Sequence, residues 1–299
     1  MIRVEDLQVF VRAAQTGSFS AAARELDLSP ALASSNVKRL ERELGFRLFV
    51  RSTRSMRLSD DGQRYLPYAE DALRAIESGE QALKAGRGEV SGTLRLSLPS
   101  DLGRNLVMGW LDEFLAAHPA LSLHLSLGDQ TVDLFRQSLD AGIRYGLLAD
   151  SSLVSLPLAP ENRRLLCASP AYLKRHGRPR EPADLKHHNC LRFVLGDQTH
   201  ERWSFHTPAG VEIVAVNGDR VCNDAEVVHR WGVAGQGIVY KSSLDLAEDV
   251  RAGRLETIFP LDWGEPAPLQ MVCAHRSLLT PAIQQLREHL FEHCVRHAL

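Results

Sequence analysis

The chain has no apolar run approaching the ~20 residues needed to cross a bilayer, so no membrane-spanning helix is expected. Its first residues, Met1-Ile-Arg-Val-Glu-Asp, carry charge where an export signal needs an apolar core. A cytoplasmic location is therefore expected. Cysteine is sparse: Cys167, Cys190, Cys222, Cys273 and Cys294 are an odd number, widely spaced, with no Cys-x-x-Cys. That pattern excludes a disulfide framework and reads as reduced thiols. A redox pair is the alternative, but cysteine commonly serves as a small buried apolar residue.

Catalytic signatures are missing as well. No Gly-x-Ser-x-Gly is present, so the usual nucleophile elbow is absent. Gly232-x-x-Gly-x-Gly237 has the wrong spacing for a dinucleotide loop and precedes a strand. His187-His188 has no neighbouring ligand partner in sequence. His289, His293 and His297, four residues apart, share one face of a terminal helix. Two such histidines can share a metal, but a closed site needs further ligands. The reading here is a solvated helix face, with no metal, no cofactor and no catalytic residue expected. Net charge is small, −2 over 299 residues, in an ordinary globular composition long enough for about two domains.

What is present starts at the N-terminus. Asp6 to Ala14 reads as a helix with Leu7, Phe10, Val11 and Ala14 on one stripe. A second helix is expected over about Ser20 to Leu26, and Asp27-Leu28 forms a turn. Ser29 then caps a third helix with Pro30 at its first position, where a missing N–H costs nothing. Ala33, Val37, Leu40 and Leu44 line one face, and Gly45 is a natural stop. The opposite face carries Ser34, Ser35, Lys38, Arg39 and Arg42. After it, Leu48, Phe49 and Val50 lead into Arg51, Arg54 and Arg57 alternating with Met56 and Leu58, which reads as a small β-ribbon with a basic tip. Between Ser29 and Leu58 there are seven basic residues against two acidic ones, a local balance of +5 in a nearly neutral chain. Such a patch is the footprint of phosphate binding. An apolar back and a hydroxyl and basic front suit a helix that packs on a domain while lying in a DNA groove.

This stretch resembles the LysR-type transcriptional regulators. The likeness rests on Phe10-Val-x-Ala-Ala-x-Thr-Gly-Ser-Phe-Ser-x-Ala-Ala, Leu28-Ser-Pro-Ala, Ser34, Arg39-Leu-Glu, Leu44-Gly-x-x-Leu-Phe, Arg51-Ser-Thr-Arg and Leu58-Ser-x-x-Gly62. Two positions depart from the pattern. Ser35 stands where many relatives carry Gln or Arg, and Asp61 stands where a small residue is usual.

Asp60 to Ala85 reads as one long helix. Leu66, Ala69, Leu73, Ile76 and Leu83 form a narrow seam that implies a partner helix, and the resemblance implies self-association as well. Gly86-Arg-Gly-Glu-Val-Ser-Gly92 breaks the helix and marks a domain boundary. From Thr93 strands and helices alternate, which argues for βαβ units around mostly parallel sheets. Strands are expected at Thr93–Leu98, Leu121–Leu127, Ile143–Tyr145, Arg164–Ala168, Cys190–Val194, Gly237–Lys241 and Leu269–Ala274. A hairpin is expected around Pro208-Ala-Gly210, and a helix over Thr131–Leu139. The resemblance continues in Asp140-x-Gly-Ile-Arg-x-Gly146, Leu166-Cys-Ala-Ser-Pro-Ala-Tyr-Leu173, Gly235-Gln-Gly-Ile238 and Ala252-Gly-Arg-Leu255, and so covers essentially the whole chain.

The expected fold class is α/β. It comprises an N-terminal winged helix-turn-helix (1–59), a linker helix for dimerisation (60–88) and a two-subdomain effector-binding domain like the periplasmic binding proteins (91–299). Subdomain I would take about 91–160 and 268–299, and subdomain II about 161–267. The expected function is a ligand-responsive, non-enzymatic DNA-binding regulator. Ser34, Ser35 and Lys38 would reach base edges or phosphates. Ser29 and Ala31 would touch thymine methyl or backbone, and Arg51 and Arg54 would clamp phosphates. Ligands of open α/β sheets bind beyond the carboxyl ends of strands, which points to Pro99, Ser100, Asp101, Asp129 and Gln130. The resemblance adds Asn223 and Asp224. Arg144 offers a charge, although a structural role is the stronger reading. Partners would be double-stranded operator DNA, a small-molecule effector, further copies of the chain (homodimer to homotetramer) and RNA polymerase, with no membrane. The alternatives are a ligand-independent repressor whose C-terminal domain only oligomerises, and an enzyme carrying a DNA-binding domain.

Overall fold

A computed structural model describes residues 1–51, 56–85, 90–129, 139–146, 153–195 and 198–299. The chain forms two compact units, one spanning Met1–Arg87 and one covering Gly88–Leu134 and Leu139–Leu299. No helix among the described residues is long and apolar enough to cross a membrane.

The first unit opens with α1 (Val4–Thr16), α2 (Phe19–Glu25) and α3 (Pro30–Leu44). Serine hydroxyls start two of them: Ser18 Oγ accepts from Ala21 N at 3.3 Å and Ser29 Oγ from Leu32 N at 3.2 Å. Asp27, at φ 53°, makes the turn between α2 and α3. Gly45 ends α3 at φ 80°, a left-handed conformation that costs glycine no Cβ clash. The ribbon follows as β1 (Phe49–Arg51) against β2 (Met56–Leu58), antiparallel, with Phe49 opposite Leu58 and Arg51 opposite Met56. Phe10, Phe19 and Phe49 meet edge to face at 5.3–5.6 Å among Leu7, Ala22, Val37 and Leu40.

The long helix α4 (Asp60–Ala85) begins with two acids at its positive end. Ser59 Oγ accepts from Gly62 N at 2.9 Å and donates to the Arg47 carbonyl. Gly62 lies so close to the chain that a Cβ there would sit 2.1 Å from the Leu48 carbonyl oxygen. The expected seam along α4 divides in two. Ala69 is buried in the head's own core, and Leu66 and Leu73 pack against it. Tyr68, Ile76 and Leu83 are 72%, 43% and 78% exposed. The partner of the first half of the seam is therefore the head itself, because α4 lies back on α1.

The second unit contains β3 (Gly92–Leu98), α5 (Ser100–Leu102), a π-helical stretch Gly103–Val107, α6 (Met108–Ala117), β4 (Leu121–Leu127), β5 (Ala141–Tyr145) and β6 (Val154–Ala159). Next come β7 (Arg164–Ala168), α7 (Pro170–His176), β8 (Arg192–Leu195), β9 (Gln198–Thr199), the hairpin β10 (Arg202–Thr207) and β11 (Gly210–Ala215), and β12 (Val221–Cys222). The chain closes with α8 (Ala225–Val233), β13 (Val239–Ser242), α9 (Ser243–Arg251), β14 (Glu256–Thr257), β15 (Leu269–Cys273) and α10 (Pro281–His297). The first sheet runs β4-β3-β5-β15-β6, so β15 returns to the sheet begun by β3. The helix expected over Thr131–Leu139 lies outside the described residues except for Leu139.

The sheets are mixed rather than mostly parallel. β3 pairs parallel with β4 and β5, but β15 runs antiparallel to both β5 and β6. In the second set β13 and β14 both run antiparallel to β7, while β12 and β8 are parallel. β15 reaches its place between β5 and β6 only after the chain has run through the second set of strands, so no direct βαβ crossover constrains its direction. All five cysteines are free, and four are buried. Burial alone pushes the Cys294 thiol up to about 12, as befits an inert packing residue.

Candidate functional site

The outer face of α3 is set by what its inner face buries. Ala33, Asn36, Val37 and Leu40 are buried, which turns Ala31, Ser35 and Lys38 to solvent and leaves Ser34 half-buried. Ser29 spends its acceptor on the helix cap and keeps its hydroxyl proton for an outside oxygen. Arg39 does not belong to the basic front. Its Nε donates to Asp6 Oδ2 at 2.8 Å, its Nη2 to the other oxygen of the nearly buried Asp6, and its Nη2 reaches Asn36 Oδ1 at 3.2 Å. This bidentate pair ties α3 to α1 and raises the Arg39 pKa. Glu41 likewise turns inward. Its Oε1 accepts from Leu48 N at 2.8 Å and Phe49 N at 3.3 Å, which anchors the start of the ribbon. Arg51 closes β1, and Arg54 lies outside the described residues.

In the second unit the candidates after β3 and β4 meet those before α8. Ser100 is buried, and its N–H donates to Asp129 Oδ1 at 2.9 Å while its hydroxyl donates to Asp129 Oδ2. Ala225 N donates to the same Oδ2 at 2.8 Å, so one carboxylate caps the first turns of α5 and α8 together. Asp224 caps α8 by accepting from Glu226 N at 2.9 Å. Arg104 Nη1 lies 2.9 Å from Asp224 and 2.7 Å from Glu226. Burial opposes ionisation of Asp224, but hydrogen bonds from Arg104 and Ser100 outweigh it and lower its pKa. Pro99 precedes α5, and Asn223 is exposed. Gln130 lies outside the described residues. Arg144 spends its guanidinium on the Ser97 hydroxyl at 2.7 Å and the Ile143 carbonyl at 2.6 Å, which makes it a brace between β3 and β5.

Beneath this lies a buried ionic cluster. Asp101 pairs with Lys241, and His229 Nδ1 lies 3.0 Å from Asp101 Oδ2. His229 Nε2 is 2.8 Å from Asp249 Oδ2, off the line a hydrogen bond needs. Tyr145 donates to Asp245 at 2.7 Å, and Lys241 Nζ also reaches the Ala225 carbonyl at 3.0 Å. Burial works against the Asp101 charge, but Lys241 and His229 prevail and hold it well below the carboxylate range. Asp245, buried and only 3.7 Å from a lysine that Asp101 already neutralises, is pushed up to about 6. Beside the cluster is a cavity of about 390 Å³, walled by Asp101, Leu106, His229, Val233, Leu244 and Asp249 among others. Of the expected effector residues that the structure describes, Asp101 alone lines it.

Comparison with known proteins agrees with both halves. Residues 4–63 match the bacterial regulatory helix-turn-helix protein, lysR family, and residues 87–295 the LysR substrate binding domain. The HTH-type transcriptional regulator DmlR of Escherichia coli strain K12 is 32% identical over 97% of this chain and 95% of its own. The chain is a member of the LysR-type transcriptional regulators. Another relative in the same strain, the HTH-type transcriptional activator AaeR, is 31% identical over 99% of this chain and 95% of its own. Full-length AphB, a virulence activator of Vibrio cholerae, shares the fold of this LysR-type regulator at a TM-score of 0.59 and 22% identity, covering 97% of this chain and 99% of that one. CrgA of Neisseria meningitidis superposes at 0.59 with 26% identity over 97% and 96%.

Sequence reading missed Arg104, Glu226, His229, Lys241 and Asp245 of this LysR-type regulator. Lys241 lies inside the buried strand β13, between Tyr240 and Ser242, where sequence alone does not distinguish a buried lysine from a solvated strand end. The histidine face of α10 is corrected too. It is not solvated, because His293 is buried against Trp110 and His297 Nε2 lies 3.2 Å from the Leu244 carbonyl.

Proposed function

We propose that this regulator reads a two-half-site operator with α3 and answers to a small molecule held between the two parts of its second unit. The observation that carries the DNA reading is the division of α3 itself, with Ala33, Val37 and Leu40 buried while Ala31, Ser35 and Lys38 face outward and Ser34 is half-buried. Ser34, Ser35 and Lys38 would meet base edges, Ser29 and Ala31 the start of the half-site, and Arg51 and Arg54 the phosphates. Short hydroxyls discriminate bases weakly, so specificity leans on the symmetry of a dimer bound to two half-sites about one DNA turn, or a multiple, apart. The effector would bind around Pro99, Ser100, Asp101, Asp129, Gln130, Arg144, Asn223 and Asp224. Asp129 already occupies the N–H groups of Ser100 and Ala225, so an acidic effector has to displace it. A differential affinity of about 1–3 kcal/mol for two arrangements is enough for control.

The test is a binding titration on operator and scrambled DNA. Ser34→Ala and Ser35→Ala should each cost about 1 kcal/mol on the operator and little on scrambled DNA. Equal losses on both would make these serines backbone contacts. A thermal-shift screen tests the sensor half, since a small molecule that raises Tm without turnover supports an effector. Its absence across the screen favours the ligand-independent repressor.

A further inference from the structure

We propose that Glu113, His289 and His293 form a binding site for a divalent transition-metal ion of the zinc class. His289 and His293 stand four residues apart on α10 and so share a face. α10 packs on α6, which brings Glu113 to that face. The ligand atoms offered by the three side chains lie within 4.8 Å of one another. Donors of a tetrahedral zinc site, at bonds of ~2.0–2.1 Å, lie about 3.4 Å apart. His293 Nε2 and Glu113 Oε2 already stand at that spacing, 3.3 Å apart, so the shortfall of at most about 1.4 Å falls on the distances to His289, and the exposed Glu113 carboxylate is free of packing that would oppose its adjustment.

The rings are set as a metal site sets them. His289 Nε2 lies 2.8 Å from the Trp110 carbonyl oxygen. An imidazole that donates one N–H to a backbone carbonyl keeps its lone pair on the other nitrogen, and metal-bound histidines are oriented in this way. His293 stacks on the Trp110 ring at 5.0 Å, and its Nε2 lies 3.3 Å from Glu113 Oε2. Phe114 packs on His289 at 5.5 Å. Two imidazoles and one carboxylate suit zinc and its neighbours and disfavour magnesium and calcium, which ask for oxygen ligands. With three protein donors the ion keeps a position for water. His297, engaged with the Leu244 carbonyl, stands outside the set. Bound metal would clamp α10 to α6.

The experiment uses the full-length protein, stripped with a chelator and dialysed against low-micromolar zinc, with metal content measured after gel filtration. One zinc per chain is expected. His289→Gln and Glu113→Gln should each weaken binding at least about tenfold. Cobalt in place of zinc should give the visible d–d bands of a low-coordinate nitrogen and oxygen site. His293→Gln risks the packing on Trp110, so the exposed Glu113→Gln, with circular dichroism as its folding control, carries the decision. No retained zinc, or retention that either variant leaves unchanged, overturns the assignment.

Discussion

Two neighbouring cations on α3 have opposite tasks. Lys38 is exposed, whereas Arg39 is taken up by Asp6 and Asn36. Lys38→Ala should therefore weaken DNA binding and lower its salt slope by about one contact per subunit, with Tm unchanged. Arg39→Ala should do the reverse. It leaves the buried Asp6 without its partner, so Tm falls while the salt slope of the surviving folded protein holds. Salt-dependent titrations and melting curves on both variants check this, and a lower slope in Arg39→Ala would return that residue to the DNA face. Gly62 makes the point for backbone. A Cβ 2.1 Å from the Leu48 carbonyl forces the α4 entry away from the ribbon. Gly62→Ala should cost about 2 kcal/mol or more in head stability, read by denaturant unfolding. Periodicity shows that α3 is two-faced. It does not show that Arg39 bends back to a carboxylate thirty-three residues earlier, because that contact depends on how α1 crosses α3.

Among the elements, α4 is where the sequence pattern is most easily misassigned. Its apolar positions serve two masters, since Leu66, Ala69 and Leu73 hold the head's core while Tyr68, Ala72, Ile76, Gly79 and Leu83 lie exposed at helical spacing. A single seam and two overlapping ones give the same spacing in sequence, and only burial separates them. If the exposed stripe is the dimer seam, Ile76→Asp should yield a smaller species in sedimentation and lower operator affinity as the two heads lose their link. Leu73→Asp should instead unfold the head without first separating the subunits. A dimer that survives Ile76→Asp would mean that assembly rests on other surfaces. The cap of α3, by contrast, is readable directly. Ser29 caps α3 as its residue type and the following Pro30 indicate, because a cap is a contact three residues long, whereas the cap of α2 falls on Ser18, two residues before the expected start at Ser20.

At the scale of the molecule, the sequence shows the order of elements but not the ionic cluster beneath Ser100, whose members run from Asp101 to Asp249 and arrive on α5, β5, α8, β13 and α9. Such a cluster ties stability to pH, with a sign that can be worked out. His229 faces Asp101 and Asp249, with Lys241 and Asp245 behind them. Burial lowers its pKa, but the Asp101 hydrogen bond and charge outweigh burial and leave it above the ordinary 6.5. The folded chain then holds a proton that the unfolded chain releases. This stabilisation is complete below about pH 6.5 and is lost as pH rises through the native value. Asp245, raised to about 6, acts in the same direction at lower pH, because its carboxyl stays protonated where the unfolded chain ionises. Asp101 acts in the opposite direction, since its depressed value contributes stability above pH 3.8 that is lost on acidification. Between pH 6.5 and its own native value His229 is the member that governs the trend, since Lys241 and Tyr145, also raised, start from far higher values. Melting of the second unit should therefore fall between pH 6.5 and the native histidine value, and His229→Gln, which cannot titrate, should flatten that fall while lowering stability at pH 6. Calorimetry across this range, with both proteins in buffers of matched ionisation enthalpy, measures the slope. A slope unchanged by His229→Gln would assign the pH dependence to other groups and leave the histidine as a packing residue between two carboxylates.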